Sequence, residues 1–105
     1  GKAVGGLGEN QNPVQLLGNA LAACVLTLMG SQAERGCVDF AGCYAEVWEC
    51  EEDMEKLTVT RIPITFHLKA NFDEKQRKKC EYIATKACFV GNTLTAEKVF
   101  TFVYD

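Results

Sequence analysis

The sequence predicts an α+β protein in which a long apolar helix packs against a mainly antiparallel sheet, with a second helix carrying Cys88. Three observations predict it. A nearly unbroken apolar run over residues 16–29 follows Asn12-Pro13. Two runs of β-favouring residues, 38–49 and 57–68, come next and alternate in polarity. Three- and four-residue spacing then returns from Lys75, ahead of an alternating tail over 98–104. A chain of 105 residues holds one modest core, so residues 12–105 are read as a single domain and residues 1–11 as a glycine-rich N-terminal arm.

The elements follow in order. GKAVGGLGENQ has four glycines and few apolar anchors, which suits an extended arm or loop. Asn12 is a helix cap and Pro13 fits the first turn, where its missing N–H costs nothing. Leu16, Leu17, Ala20, Leu21, Cys24, Val25, Leu28 and Met29 then recur at helical spacing. Ala22, Ala23 and Leu26 leave little polar surface between them, so this helix is expected to be covered on nearly all sides and to stop at Gly36. A strand is expected over 38–49 and an acidic turn over 49–55. In the run 57–68, Thr58, Thr60, Ile62, Ile64, Phe66 and Leu68 share the parity expected to face the core, and Pro63 suggests an edge position or a bulge. Asp73 opens a second helix over 75–87, with Cys80, Ile83, Ala84, Ala87 and Cys88 on one stripe and an end near Gly91-Asn92. In the last strand Val99, Thr101 and Val103 lie on one side, and Phe100, Phe102 and Tyr104 on the other.

Eleven basic against 14 acidic residues give a net charge of −3, which argues against a nucleic-acid groove. The cluster around Lys75, Arg77, Lys78 and Lys79 is interleaved with acids and reads as a solvated helix face. The start lacks a charged-then-apolar leader, and the apolar run 16–29, broken by Gly18, Asn19 and Thr27, falls short of the ~20 residues of a membrane span. A reducing cytoplasm is therefore expected, with thiols free.

The six cysteines stand at 24, 37, 43, 50, 80 and 88. No Cys-x-x-Cys or paired-His spacing marks a metal, the lone His67 is a strand residue, and the glycines form no phosphate fingerprint. Cys37, Cys43 and Cys50 read as packing or surface thiols. Cys24 and Cys88 each lie in the last half of an apolar helix. Any contact between them is tertiary, and they are open to two readings, a disulfide couple if the Cα atoms approach within ~4.4–6.8 Å or small core hydrophobes.

Asn12-Pro13-Val14-Gln15-Leu16-Leu17 running into Ala20-Leu21-Ala22-Ala23-Cys24, behind Gly5-Gly6 and Gly8, resembles the central-helix motif of the OsmC/Ohr family. Ala87-Cys88-Phe89-Val90-Gly91-Asn92-Thr93-Leu94 is similar to the family's second cysteine motif, and the likeness covers roughly residues 5–104. The resemblance implies an intertwined homodimer with thiol sites at the interface. It implies that Cys24 attacks the O–O bond of an organic hydroperoxide and that Cys88 resolves the sulfenic acid as a disulfide, reset by a lipoyl-type dithiol, with no metal, flavin or haem. Active members place Glu after the Pro of the first motif, steadying an Arg that lowers the thiol pKa; here stand Val14 and the neutral Gln15, and Arg35, Arg61 and Arg77 match no such position. Phe89 replaces the usual Pro, and Gly91 a polar residue. The alternative keeps the fold without the reaction, as a dimer binding a small apolar ligand with structural cysteines.

Overall fold

Asn12 opens the described part of the computed structural model, which covers residues 12–105; the glycine-rich arm 1–11 lies outside it. The Asn12 side chain accepts the Gln15 N–H at 2.8 Å, and Pro13 begins helix α1, Pro13–Arg35. Strands β1 (Tyr44–Val47), β2 (Glu51–Asp53) and β3 (Thr58–Leu68) follow, then helices α2 (Glu74–Lys86) and α3 (Phe89–Thr93) and strand β4 (Glu97–Tyr104).

β3 is the centre of the sheet. β1 and then β2 run antiparallel along one edge, and β4 runs parallel along the other after the crossover through α2 and α3. Pro63 is thus in a central strand, not at an edge. Its carbonyl accepts the Trp48 N–H at 2.9 Å, and because a residue's C=O and N–H point to the same edge, its missing donor faces the same neighbour. That neighbour is interrupted there, between Val47 and Glu51, so no ladder bond is lost.

The strand expected over 38–49 shrinks to Tyr44–Val47, because the chain first turns through Cys37 (φ 58°) and Gly42 (φ 87°). The acidic stretch is more than a turn. Glu51 pairs with Arg61 at 2.7 Å as part of β2, and the reversal is made by Asp53, whose Oδ1 accepts the N–H groups of Glu55 and Lys56.

The core joins Leu21, Val25 and Met29 of α1 to Ile62, Ile64, Phe66 and Leu68 of β3, with Phe72, Cys80 and Ala84 closing one end. Thr58 and Thr60, at the hairpin end, are exposed, so only the last four positions of that parity are core. Phe66 stacks on Phe102 at 5.6 Å and meets Phe100 edge-on at 5.3 Å. Asp73 and Gln76 form a reciprocal capping box at the start of α2.

α1 departs from the expectation of near-complete cover. Gly18, Leu21, Ala22, Val25, Met29 and Ala33 are buried, but Leu16 is 49% exposed, and Ala20, Ala23 and Thr27 are open. The described chain has one sheet and two short helices to cover it, which enclose one side only. At 23 residues α1 is long and apolar enough by composition to cross a bilayer, although in this fold its inner face forms the core. Gly18 sets how closely β1 approaches: a Cβ there would stand 2.6 Å from Val47 Cγ1.

Candidate thiol site

Cys24 sits midway along α1, between the fully buried Leu21 and Val25, and is itself half-buried on the rim of the open side. Cys88 is elsewhere than the sequence suggests. The second helix does not run on to Gly91-Asn92: α2 ends at Lys86, and Cys88 is the N-cap of the separate five-residue α3. The break is satisfied from both sides. The Ala87 N–H donates to Ile83 O, the Asn92 amide donates to Lys86 O at 3.1 Å, and Cys88 Sγ accepts the Gly91 N–H at 3.2 Å.

The fold brings these two thiols together and leaves the other four apart from them. Cys24 is near enough to Cys88 to perturb its titration. Burial is the largest influence on Cys88 and pushes its pKa above the ordinary thiol value; the neighbouring Cys24 adds to the rise, and the N–H groups of Gly91 and Val90 oppose it. The two helices pack closely at Gly91, where a Cβ would make ordinary contact with Leu21 Cδ1 at 3.4 Å and Cys88 Sγ at 3.6 Å.

Cys80 is buried in the core, and Cys43 and Cys50 are half-buried; in all three burial is the main cause of a raised pKa. Cys37 is exposed. All six are free thiols. Two of the three arginines are committed elsewhere. Arg61 pairs with Glu51 and Glu97, Arg77 lies 4.2 Å over the Tyr104 ring while bonding the Phe72 and Ala70 carbonyls, and Arg35 is in the last turn of α1. His67 stands where its strand parity puts it, stacked 4.5 Å from Tyr44 and 2.5 Å from Glu46 on the outer face of the sheet. Among the described residues no group of three or more His, Cys, Asp or Glu could hold a metal ion.

Behind Cys88 lies a cavity of about 140 Å³ walled by Thr85, Asn92, Lys98 and Phe100 together with Ala84 and Gly91; Cys24 does not line it. Lys98 was legible in the sequence only as the start of the last strand. Its parity with Phe100, Phe102 and Tyr104, a charge on the row that faces inward, is the signal that singles it out. A second pocket, of about 320 Å³, holds Val14 and Gln15 with Trp48, Cys50 and Glu52 at the other end of α1.

A model of the OsmC-like protein family matches residues 6–103 of the chain. No curated protein matches it in sequence. Among solved structures, it is similar to a protein of Psychrobacter arcticus 273-4 assigned to osmotic stress induction and the detoxification response, at 25% identity and TM-score 0.78, over 93% of this chain and 72% of that one. It is also similar to the OsmC-like protein of Mycoplasma pneumoniae, at 18% identity and TM-score 0.69, over 89% and 72% of the two chains. The organic hydroperoxide resistance protein OhrB of Bacillus subtilis shares the fold at 14% identity and TM-score 0.62, over 90% and 70%.

Proposed function

Because the chain belongs to the OsmC-like protein family, we propose that it is a thiol-dependent reductase of organic hydroperoxides working through Cys24 and Cys88. The observation that carries this reading is the meeting of the two thiols from α1 and the start of α3, one half-exposed and one buried. In the proposed reaction the Cys24 thiolate attacks the distal oxygen of the hydroperoxide. The O–O bond breaks, the alcohol leaves after taking a proton, and Cys24 becomes a sulfenic acid. Cys88 then attacks that sulfur, the hydroxyl leaves as water with the Cys88 proton, and a disulfide remains. Two thiols and one hydroperoxide thus give one disulfide, one alcohol and one water. A dithiol of lipoyl type resets the pair by exchange.

The open side of α1, with Leu16 at 49% exposure, and Phe89 of α3, at 84%, support assembly as a homodimer, in which a partner covers exposed apolar surface. A cytoplasmic setting, where the thiols stay reduced between turnovers, fits this chemistry. One observation favours a second reading, a dimer that binds a small apolar ligand and uses its cysteines for packing: Arg61 and Arg77 are engaged away from the thiols, and Arg35 lies in the last turn of α1.

Loss of cumene hydroperoxide with dihydrolipoamide as reductant separates the two. Turnover by the parent, its loss to background in Cys24→Ser, and a Cys24–Cys88 bond mapped by mass spectrometry are the expected results. Absence of both turnover and bond favours the binding module.

A further inference from the structure

The cavity behind Cys88 takes no part in the steps above, and three observations say what it can hold. Cys88 lines it and Cys24 does not, so a molecule inside reaches one sulfur of the pair only. Lys98 projects from the inward row of β4, opposite the fully buried Ile62, and its ammonium donates to the Leu94 carbonyl. It makes no ion pair among the described residues. A half-buried cation without a counter-charge, on a row otherwise aromatic, breaks the strand's own pattern and favours an anion beside it. Of the neighbouring polar groups, the Thr85 hydroxyl donates to the Glu81 carbonyl and the Asn92 amide commits one of its two N–H groups to that of Lys86, which leaves Lys98 as the charged group with N–H bonds to spare. The volume, about 140 Å³, is below the ~300–1,000 Å³ of a drug-sized ligand site and suits a small molecule.

We infer that this cavity receives a small thiol bearing a carboxylate, which resets the oxidised site by attacking Cys88 rather than Cys24; the inference rests on the thiol-pair reading above. The carboxylate pairs with Lys98 while the thiolate meets the Cys88 sulfur. The Cys24–Cys88 bond breaks, a bond from Cys88 to the incoming sulfur forms, and Cys24 leaves as thiolate and takes up a proton. A second molecule of the same thiol attacks the incoming sulfur, departs with it as the small-molecule disulfide, and releases Cys88, which takes up the second proton. Two thiols are oxidised and one protein disulfide is reduced.

The test uses the full chain, oxidised with one equivalent of cumene hydroperoxide, its Cys24–Cys88 bond confirmed by mass spectrometry. It is then reduced by 3-mercaptopropionate or by its methyl ester, with rates corrected to equal thiolate. The acid is expected to react roughly three- to fivefold faster than the ester, the size of a partly exposed ion pair. That preference should disappear in Lys98→Met and persist in Lys98→Arg. Quenching with iodoacetamide should leave the mercaptopropionyl group on Cys88 and the carbamidomethyl group on Cys24. Should Lys98→Met not fold, the adduct's position and the decline of the preference in high salt decide the matter in the parent. An adduct on Cys24, or a preference indifferent to Lys98 or to salt, overturns the inference while the thiol pair stands. Failure of the Cys24–Cys88 bond to form overturns the thiol-pair reading first and this one with it.

Discussion

Gly18→Ala tests how α1 is seated on the sheet that holds the thiol site together. In an isolated helix the substitution would stabilise by about 1 kcal/mol through propensity alone. Here the new methyl group would lie 2.6 Å from Val47 Cγ1, where ordinary contact begins at 3.4 Å, so helix and strand must part by several tenths of an ångström. Val47 is short, branched and fixed in β1 opposite Ile64, and cannot swing away as a long side chain would. Overpacking of this kind costs about 1–3 kcal/mol, which leaves a net destabilisation of roughly 0–2 kcal/mol. Because the sign of so small a difference is fragile, the informative quantity is the coupling with Val47→Ala. With the Cγ atoms gone, Gly18→Ala should become stabilising by about 0.5–1 kcal/mol, a coupling of about 0.5–3 kcal/mol. Urea unfolding followed by the fluorescence of Trp48, the one tryptophan, measures all four corners of the cycle. A single variant stabilised by the full helix propensity, with no coupling to Val47, would refute the seating described.

Tyr104→Phe removes the 2.6 Å bond that its hydroxyl donates to Glu81, the tie between β4 and α2, and should cost about 1–2 kcal/mol, seen as a lower Tm. Asp73→Ala removes the capping box of α2 and should cost about 1 kcal/mol by the same assay. Cys43, Cys50, Cys80 and Cys88 all have thiol pKa values raised by burial. Between the unfolded value, ~8.5, and the higher folded value, the unfolded chain has given up protons the folded chain retains, so stability is full below about pH 8.5 and falls as pH rises beyond it. Thermal melts of the reduced protein from pH 7 to 10 should show Tm falling only over the upper part of that range, and a flat profile would contradict the burial of these thiols.

The long helix and its cap were legible because Asn12-Pro13 and the spacing of Leu21, Val25 and Met29 are local signals read by local rules. The pairing partner of β4 was not, since parallel and antiparallel neighbours place the same alternation on a strand, and only the α2–α3 crossover decides. Pro63 suggested an edge because sequence shows the missing donor and not the gap in the neighbouring chain that absorbs it. The openness of α1 was equally hidden: periodicity reports that a helix is apolar on several sides, not how much cover its own chain can supply. At the candidate site, the two cysteines are singled out by their motifs, but their setting is not. Cys88 continues the three- and four-residue stripe of Cys80 and Ala84, so spacing carries it on as helix, and the break is made by the Asn92 side chain capping the Lys86 carbonyl from six residues away.

The departures from the family pattern fall in two places with different consequences. Val14 is ten residues from Cys24, roughly 15 Å along the axis, and opens into the pocket with Trp48 and Cys50. No side chain at position 14 reaches the Cys24 thiol of its own chain, so the neutrality of Val14 bears on that thiol only through other groups. Phe89 and Gly91 act directly, because they are the first and third residues of α3, on which Cys88 is the cap. A glycine at 91 keeps the N–H that bonds the Cys88 sulfur and adds no side chain between that sulfur and Leu21. The balance at Cys88 still runs upward, since burial and the neighbouring Cys24 outweigh the backbone donors. Cys88 therefore holds its proton to higher pH than a free thiol. Under the proposed reaction, a half-buried sulfur at the rim and a buried sulfur behind it suit attack by the first and resolution by the second. In that order of events the Cys88 proton is in place to leave with the hydroxyl of the sulfenic acid as the disulfide closes.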